Sequence, residues 1–126
     1  MIVLDASFVI AVLNPGDPHH HQAVSLMSST REELFIHTLT LAEILVGAAR
    51  VGREGELRRD LTGLGIRTAQ LGPDEPELLA RVRVQHGLKM PDSCVLATSI
   101  HLSAPLVTFD QKLATEAERL GLLFRN

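Results

Sequence analysis

Four carboxylates in this chain stand where they could meet and bind a metal ion. They are Asp5, Glu43, Asp92 and Asp110. Asp5 and Asp110 each follow a short apolar run that predicts a strand, and Asp92 lies in the first turn of a predicted helix. Because ligands of open parallel sheets bind at the carboxyl ends of the strands, we expect these acids to converge there. Hard oxygen ligands of this kind suit Mg²⁺ or Mn²⁺, which keep several waters and bind phosphates.

A carboxylate cluster that holds one or two such ions is suited to the hydrolysis of phosphodiester bonds. The ion activates a bound water to hydroxide and offsets charge on the leaving oxygen. Zn²⁺ is a poor fit, because no Cys or His has the spacing of a ligand pair around these acids. A phosphate-binding loop is excluded, because Gly47 and Gly52 are followed by Arg53 and Glu54 rather than by Lys and Ser or Thr.

Each acid also has a structural explanation. Asp5 and Asp110 can cap the helices that follow them, and a negative charge at Asp92 is favoured by a helix dipole. Glu43 fits a capping box with Thr40 as the cap. However, the helix around Glu43 is almost wholly apolar and offers no Lys or Arg three or four residues away. An ionised Glu43 therefore needs a partner from elsewhere in the fold.

The apolar patterns predict strands that alternate with helices. Strands are predicted over residues 2–4, 34–37, 66–71, 105–109 and 122–124. Helix starts are predicted at Asp17, at Thr38 or Thr40, and at Asp74, Met90 and Asp110. This alternation predicts an α/β fold, a three-layer α/β/α sandwich with a central parallel sheet.

Composition limits the class of protein. The 126 residues fit one domain, and 45% hydrophobic and 21% charged residues are typical of a soluble globular protein. No apolar run is long enough to cross a bilayer and no signal peptide is recognised, so a cytoplasmic location is expected. The single cysteine, Cys94, is predicted to be a buried, inert thiol. A net charge of −3 and only 3% aromatic residues argue against a basic surface or a broad aromatic platform for nucleic acid.

Four motifs, in register and spanning essentially the full length, resemble the PIN-domain ribonucleases, and most closely the VapC toxins of bacterial toxin–antitoxin pairs. The motifs are Ile2-Val3-Leu4-Asp5-Ala6-Ser7, Leu41-Ala42-Glu43-Ile44, Pro91-Asp92-Ser93 with Leu96-Ala97, and Leu106-Val107-Thr108-Phe109-Asp110.

The resemblance implies a PIN-like fold and a Mg²⁺- or Mn²⁺-dependent endoribonuclease, the toxin of a type II toxin–antitoxin system. It further implies a homodimer that acts on RNA and is blocked by a VapB-like antitoxin. By position, the catalytic and metal-binding acids would be Asp5, Glu43, Asp92 and Asp110. Ser7 and Thr108 resemble the supporting hydroxyls. Some relatives carry another acid shortly after the position of Asp110, where this chain has Gln111-Lys112-Leu113. The resemblance therefore does not decide whether the site holds one metal ion or two.

Other features have two interpretations each. His19–His21 predicts a solvated helix start, with contact between one imidazole and RNA as the alternative. Arginines between residues 50 and 59 alternate with acids, which indicates a solvated face or a stripe that binds the RNA backbone. Apolar residues in 46–51 and 57–64 fit either core packing or a dimer or antitoxin surface. The alternative functions are a phosphoacceptor-type regulatory α/β module and a catalytically silent RNA-binding or antitoxin-binding protein.

Overall fold

The computed structural model describes residues 1–125, which contain a parallel sheet of four strands. The strands are β1 (Ile2–Leu4), β2 (Leu34–Ile36), β3 (Ile66–Thr68) and β4 (Leu106–Val107). They lie in the order β3-β2-β1-β4, and every pairing is parallel. β1, β2 and β4 consist only of apolar residues, as expected of short strands that are covered on both faces.

Helices cover both faces of this sheet. They are α1 (Ala6–Leu13), α2 (His20–Ser29), α3 (Thr38–Ala49), α4 (Glu54–Gly63), α5 (Glu75–His86), α6 (Met90–Leu102) and α7 (Gln111–Arg119). Successive strand side chains point to opposite faces. Ile2 and Leu4 accordingly pack in one core cluster with residues of α1 to α4, whereas Val3 packs in a second cluster with residues of α5 to α7. The predicted three-layer α/β/α sandwich is therefore confirmed.

The strand order reverses beside β1. The chain moves outward from β1 to β2 to β3 and then returns across the sheet to place β4 on the other side of β1. Right-handed crossovers put the helices of the outward and return connections on opposite faces. The carboxyl ends of β1 and β4 therefore meet at a topological switch point, which is where such sheets bind ligands. Asp5 directly follows β1 at this point.

Two predicted boundaries at helix starts were wrong. β2 ends at Ile36, and His37 rather than Thr38 or Thr40 caps α3, because its Nδ1 accepts the N–H of Leu39 at 3.0 Å. The regular part of α2 begins only at His20. The carboxylate of Asp17 instead accepts the N–H of His19 at 2.8 Å, in a turn ahead of the helix.

Three further predicted strands are shorter in the structure. β3 stops at Thr68 rather than at residue 71, and β4 spans Leu106–Val107 rather than 105–109. The segment predicted as a terminal strand forms only an isolated parallel bridge between Leu123 and Leu106. The backbone of Leu106 bonds to both neighbours of Leu123, so this segment extends the sheet by a single residue beyond β4.

No helix within residues 1–125 has the length and hydropathy required to cross a bilayer.

Candidate active site

Asp5 is held at the switch point by two hydroxyl groups. Its side chain is buried, with 6% of the residue exposed, and its backbone N–H donates to the carbonyl of Val107 at 3.1 Å. Ser7 Oγ and Thr108 Oγ1 donate to Asp5 Oδ2 at 2.8 and 2.6 Å. Within residues 1–125 no hydrogen bond occupies Oδ1. The carboxylate does not cap α1, so the structural explanation for Asp5 fails and one oxygen stays available for a ligand.

The two hydroxyls also fix the end of β4 against the start of α1. Ser7 Oγ accepts the N–H of Phe109 at 3.0 Å, and Thr108 Oγ1 accepts the N–H of Asp110 at 2.9 Å. Each hydroxyl that accepts a backbone N–H has its own hydrogen free to donate to Asp5. Ser7 and Thr108 thus lie where the sequence predicted supporting hydroxyls, and they set the position of the Asp5 carboxylate.

Asp110 serves as the cap of α7, as predicted. Its Oδ1 accepts the N–H of Leu113 at 2.9 Å, while the residue as a whole is exposed. Only one carboxylate oxygen is needed for the cap. Capping and ligand binding are therefore compatible at Asp110.

Glu43 and Asp92 receive no such support. Glu43 is exposed on α3, and since His37 caps that helix, the predicted capping box with Thr40 is not formed. Asp92 is half-buried in the first turn of α6. Within residues 1–125 none of the four acids forms an ion pair with Lys or Arg.

The charges of the four acids act on one another. The pKa of Asp92 is raised to about 6, first by burial and then by the charges of Asp110, Asp5 and Glu43, with a smaller opposing effect of Lys89. Burial and the charge of Asp5 also raise the pKa of Glu43. Carboxylates raise one another's pKa when their charges lie within electrostatic range. The structure therefore places Asp92 within range of the charges of Asp110, Asp5 and Glu43.

The donor set fits a divalent cation that retains water. Within residues 1–125 no three Asp, Glu, His or Cys side chains form a ready-made metal cage. Mg²⁺ does not require one, because it is commonly bound by one or two carboxylates together with waters and substrate phosphates. The four carboxylates form no ion pair with Lys or Arg within residues 1–125, and an Asp5 oxygen is available at this edge of the sheet. These features match that mode of binding. Asp5, Glu43, Asp92 and Asp110 are the residues that would hold the ion.

The sequence model of the PIN domain matches residues 2–118 of this chain. The chain belongs to the PIN-domain family. Membership supports a hydrolase of the nuclease type, and it confirms the family that the four motifs indicated. No curated protein sequence matches the chain.

Solved structures share the fold of this PIN domain. A toxin–antitoxin complex from Klebsiella pneumoniae matches with a TM-score of 0.73 and 24% identity over 89% of this chain and 88% of that chain. Mycobacterium tuberculosis VapC20, a sarcin–ricin loop cleaving toxin, matches with a TM-score of 0.75 and 21% identity over 92% and 95%. FitAcB from Neisseria gonorrhoeae matches with a TM-score of 0.71 and 22% identity over 94% of each chain.

The three positions directly after Asp110 are Gln111, Lys112 and Leu113, so they carry no acid in this PIN domain. Leu113 is fully buried in the core, and Gln111 lies on the exposed side of α7, where its amide donates to Thr115.

Cys94 is the inert thiol that the sequence predicted. It is buried in α6, and its pKa is raised to about 11 by burial and by the charges of Glu75 and Glu43. A thiol with such a pKa is protonated at neutral pH and is a poor nucleophile.

Two histidine contacts near this edge were missed in the sequence. Buried His37 joins the end of β2 to the start of α5, with its Nε2 lying 3.4 Å from Glu75 Oε2. His19 stacks on Phe109, with ring centroids 4.1 Å apart and planes 10° apart. A His directly after an apolar strand run was a usable signal for the first contact. The second joins residues 90 positions apart, so no local pattern shows it.

The remaining candidates stay on solvated surfaces. Arg53 makes a long ion pair of 3.9 Å with Glu56, and both side chains are mostly exposed. Leu61 of α4 is buried in the core, whereas Val46 and Val51 are 49% and 71% exposed. The start of the arginine-rich helix is thus solvated, and binding of the RNA backbone by its arginines stays a prediction. The two exposed valines lie on the surface, where a dimer or antitoxin interface also stays a prediction.

Proposed function

We propose that this PIN domain is a Mg²⁺- or Mn²⁺-dependent endoribonuclease and the toxin of a type II toxin–antitoxin pair. The proposal takes residues 1–126 as a single nuclease domain. It assigns metal binding and catalysis to Asp5, Glu43, Asp92 and Asp110, with Ser7 and Thr108 as the groups that orient Asp5.

The observation that carries the proposal is the Asp5 carboxylate at the switch point, which Ser7 and Thr108 hold by Oδ2 while no hydrogen bond within residues 1–125 occupies Oδ1. Burial and the charges of Asp110, Asp5 and Glu43 raise the pKa of Asp92, and no Lys or Arg within residues 1–125 forms an ion pair with any of the four acids. A fold that gathers negative charge at a ligand-binding edge is destabilised by it unless a cation binds there. Perturbed acids in such a place are typical of a functional site.

The chemistry divides between the chain and the ion. A divalent ion at this edge would supply an activated water and offset charge on the phosphate in the transition state. Ser7 and Thr108 hold the Asp5 carboxylate in place through their hydrogen bonds to Oδ2. Asp110 is fixed by its cap on α7. Without a cation the four carboxylates repel the phosphates of RNA, and this repulsion falls when an ion binds or when one carboxylate is removed.

The partners follow from the same proposal. RNA is the substrate, a VapB-like antitoxin is the inhibitor, the active form is a homodimer, and the protein acts in the cytoplasm. Support comes from the family and from structures of similar fold that include a toxin–antitoxin complex and a toxin that cleaves the sarcin–ricin loop. The RNA cleaved and the number of ions are not part of the proposal.

Asp5→Asn tests the proposal. An amide oxygen still accepts the hydrogen bonds of Ser7 and Thr108, so the variant should fold while it loses the charge that binds the ion. We expect RNA cleavage in Mg²⁺ or Mn²⁺ and growth arrest on expression to be lost. Cleaved RNA ends are mapped by sequencing, and folding is checked by circular dichroism.

The matched control is Asp60→Asn, which removes an exposed carboxylate from α4 and should leave cleavage intact. Full cleavage by Asp5→Asn, or cleavage by the unaltered protein that continues in a chelator, would contradict the proposal.

A further inference from the structure

Three aromatic rings form a ladder from the core to the surface at the acid edge. Phe8 is buried, with 1% of the residue exposed, and its ring stacks on that of Phe109 with centroids 6.0 Å apart. Phe109 in turn stacks almost parallel to the imidazole of His19, at 4.1 Å and 10°. The His19 side chain is 48% exposed. Since Phe109 covers one face of the imidazole, the opposite face and the ring edge account for that exposure.

The ladder is fixed to the residues that orient the acids. Phe109 stands between Thr108, which donates to Asp5, and Asp110, which caps α7. Its own N–H donates to Ser7 Oγ at 3.0 Å. At the other end, the backbone N–H of His19 donates to Asp17 Oδ1 at 2.8 Å, and its Nδ1 lies 3.6 Å from the same atom. The exposed imidazole is thus held in place by Asp17 and, through the Phe109 ring, against the segment that carries Thr108 and Asp110.

The few aromatic residues of the chain are concentrated here. Of four phenylalanines, three line a recess of about 190 Å³ between α2, β4 and α7: Phe8, Phe109 and Phe124. Burial alone does not explain an imidazole stacked on the outermost of these rings, because a half-exposed ring contributes little to the core. Nucleic-acid bases stack on aromatic rings that are supported on one face by the protein and exposed to solvent on the other.

We propose that His19 is a base-stacking residue, and that an unpaired base of the RNA next to the cleaved phosphate stacks on its open face. This inference rests on the proposed function. It adds that the RNA is single-stranded at the site and that one of its bases is turned out of any helix. Stacking tolerates every base, so His19 would fix the register of the strand at the acids rather than select one sequence.

A stacking contact would add affinity for RNA that the net charge of this protein does not provide. The net charge is −3 and the site itself is acidic, so nonspecific attraction to the phosphate backbone is weak. Base stacking is independent of that attraction.

His19 has two alternative roles. It could bind a phosphate of the RNA as an imidazolium, or it could only cover Phe109 from water. The experiment separates these roles.

Binding is measured by fluorescence anisotropy in the full chain carrying Asp5→Asn, so that the RNA stays intact, with Mg²⁺ present. The probes are a short single-stranded RNA of randomised sequence and an abasic strand of the same length. We expect His19→Ala to weaken binding of the RNA about tenfold, to leave binding of the abasic strand unchanged and to leave the salt dependence unchanged. His19→Phe keeps an aromatic face and should bind the RNA at least as well as the parent.

The matched control is His21→Ala. This exposed histidine is two residues away, and its ring packs edge-on against His20 rather than on Phe109. It should bind both probes as the parent does.

Four results would overturn the inference. The first three are unchanged RNA binding by His19→Ala, an equal loss on the abasic strand, and a failure of His19→Phe to restore binding. A loss accompanied by a shallower salt dependence also overturns it, in favour of a phosphate contact.

Cleavage by the protein without the Asp5 substitution is assayed in parallel with the randomised RNA and mapped ends. If that protein cleaves RNA while His19→Ala has no effect on binding or on KM, only the stacking inference fails. If it neither binds nor cleaves RNA, the proposed function fails and the stacking inference fails with it.

Discussion

The two halves of the acid edge are built in opposite ways. Asp5 is buried, receives two hydroxyl hydrogen bonds and is attached through them to the end of β4. Glu43 and Asp92 project from helices, have no Lys or Arg partner within residues 1–125, and have raised pKa values. One half is positioned by the protein alone, whereas the other is held only by the helices that carry it.

This difference explains how the edge that carries the four acids can be stable and still bind a cation. Burial and neighbouring negative charge oppose the ionisation of a carboxyl group. Two hydrogen bonds fix the Asp5 carboxylate, whereas burial and repulsion within the cluster raise the pKa of Asp92 and of Glu43. A cation that binds at the edge relieves this repulsion, which contributes part of the affinity for the cation.

The largest expected effect concerns the unsupported half. Asp92→Asn removes a proposed ligand, and we expect RNA cleavage to fall by more than the roughly 100-fold that loss of an outer-shell partner produces. The rate of RNA cleavage in Mg²⁺ is the measurement. Asp74→Asn is the matched control, because Asp74 is exposed ahead of α5 and its side chain forms no cap hydrogen bond. Equal activity in the two variants would show that Asp92 is not part of the site.

A smaller loss is expected from the supported half. Thr108→Val removes one hydroxyl from Asp5 and leaves the Asp110 N–H without its acceptor. We expect Mn²⁺ affinity, measured by calorimetry, to fall about 10- to 100-fold while Asp5 remains in place through Ser7. Thr68→Val is the control, since Thr68 ends β3, which lies two strands away from β1. A Thr108→Val protein with unaltered affinity would mean that the hydroxyls serve the fold alone.

The smallest effect is on stability without metal. Because the pKa of Asp92 is raised from 3.8 to about 6 in the fold, the folded protein binds more protons than the unfolded chain between these values. The contribution of Asp92 to the free energy of unfolding therefore falls as pH rises through this window and is constant above it. Urea unfolding in a chelator should show Asp92→Asn gaining stability relative to the unaltered protein as pH rises toward 6. A difference in unfolding free energy between the two proteins that does not change with pH would contradict the link between stability and the pKa of Asp92.

Most of the fold was predictable because each strand and helix is marked locally. Apolar runs identified all four strands, and glycine or proline after the helices identified most of the ends, as at Gly87, which adopts the left-handed conformation that ends α5. The boundaries failed where a residue outside the usual capping set took the role. His37 caps α3 through its ring nitrogen, which a preference for Ser, Thr, Asp or Asn does not anticipate.

The candidate site was predictable as a set of residues but not as a geometry. The four acids and two hydroxyls follow from strand ends and motif positions, and their roles stay predictions. The hydrogen bonds of Ser7 and Thr108 to the same oxygen depend on the pairing of β1 with β4, which joins residues about a hundred positions apart. The stack of His19 on Phe109 depends on how α2 packs over α1 and β4, so neither side chain signals it alone.

The ionisation of Asp92 tests most directly the claim that four acids share one edge and one kind of cation. Carbon-13 NMR of the side-chain carboxyl, assigned with the Asp92→Asn spectrum, follows its titration with and without Mg²⁺. We predict a midpoint of about 6 in the absence of the ion and a clear fall when Mg²⁺ is saturating, because the cation favours the ionised form. A midpoint near the ordinary 3.8 without Mg²⁺, or one that Mg²⁺ does not move, would contradict the account.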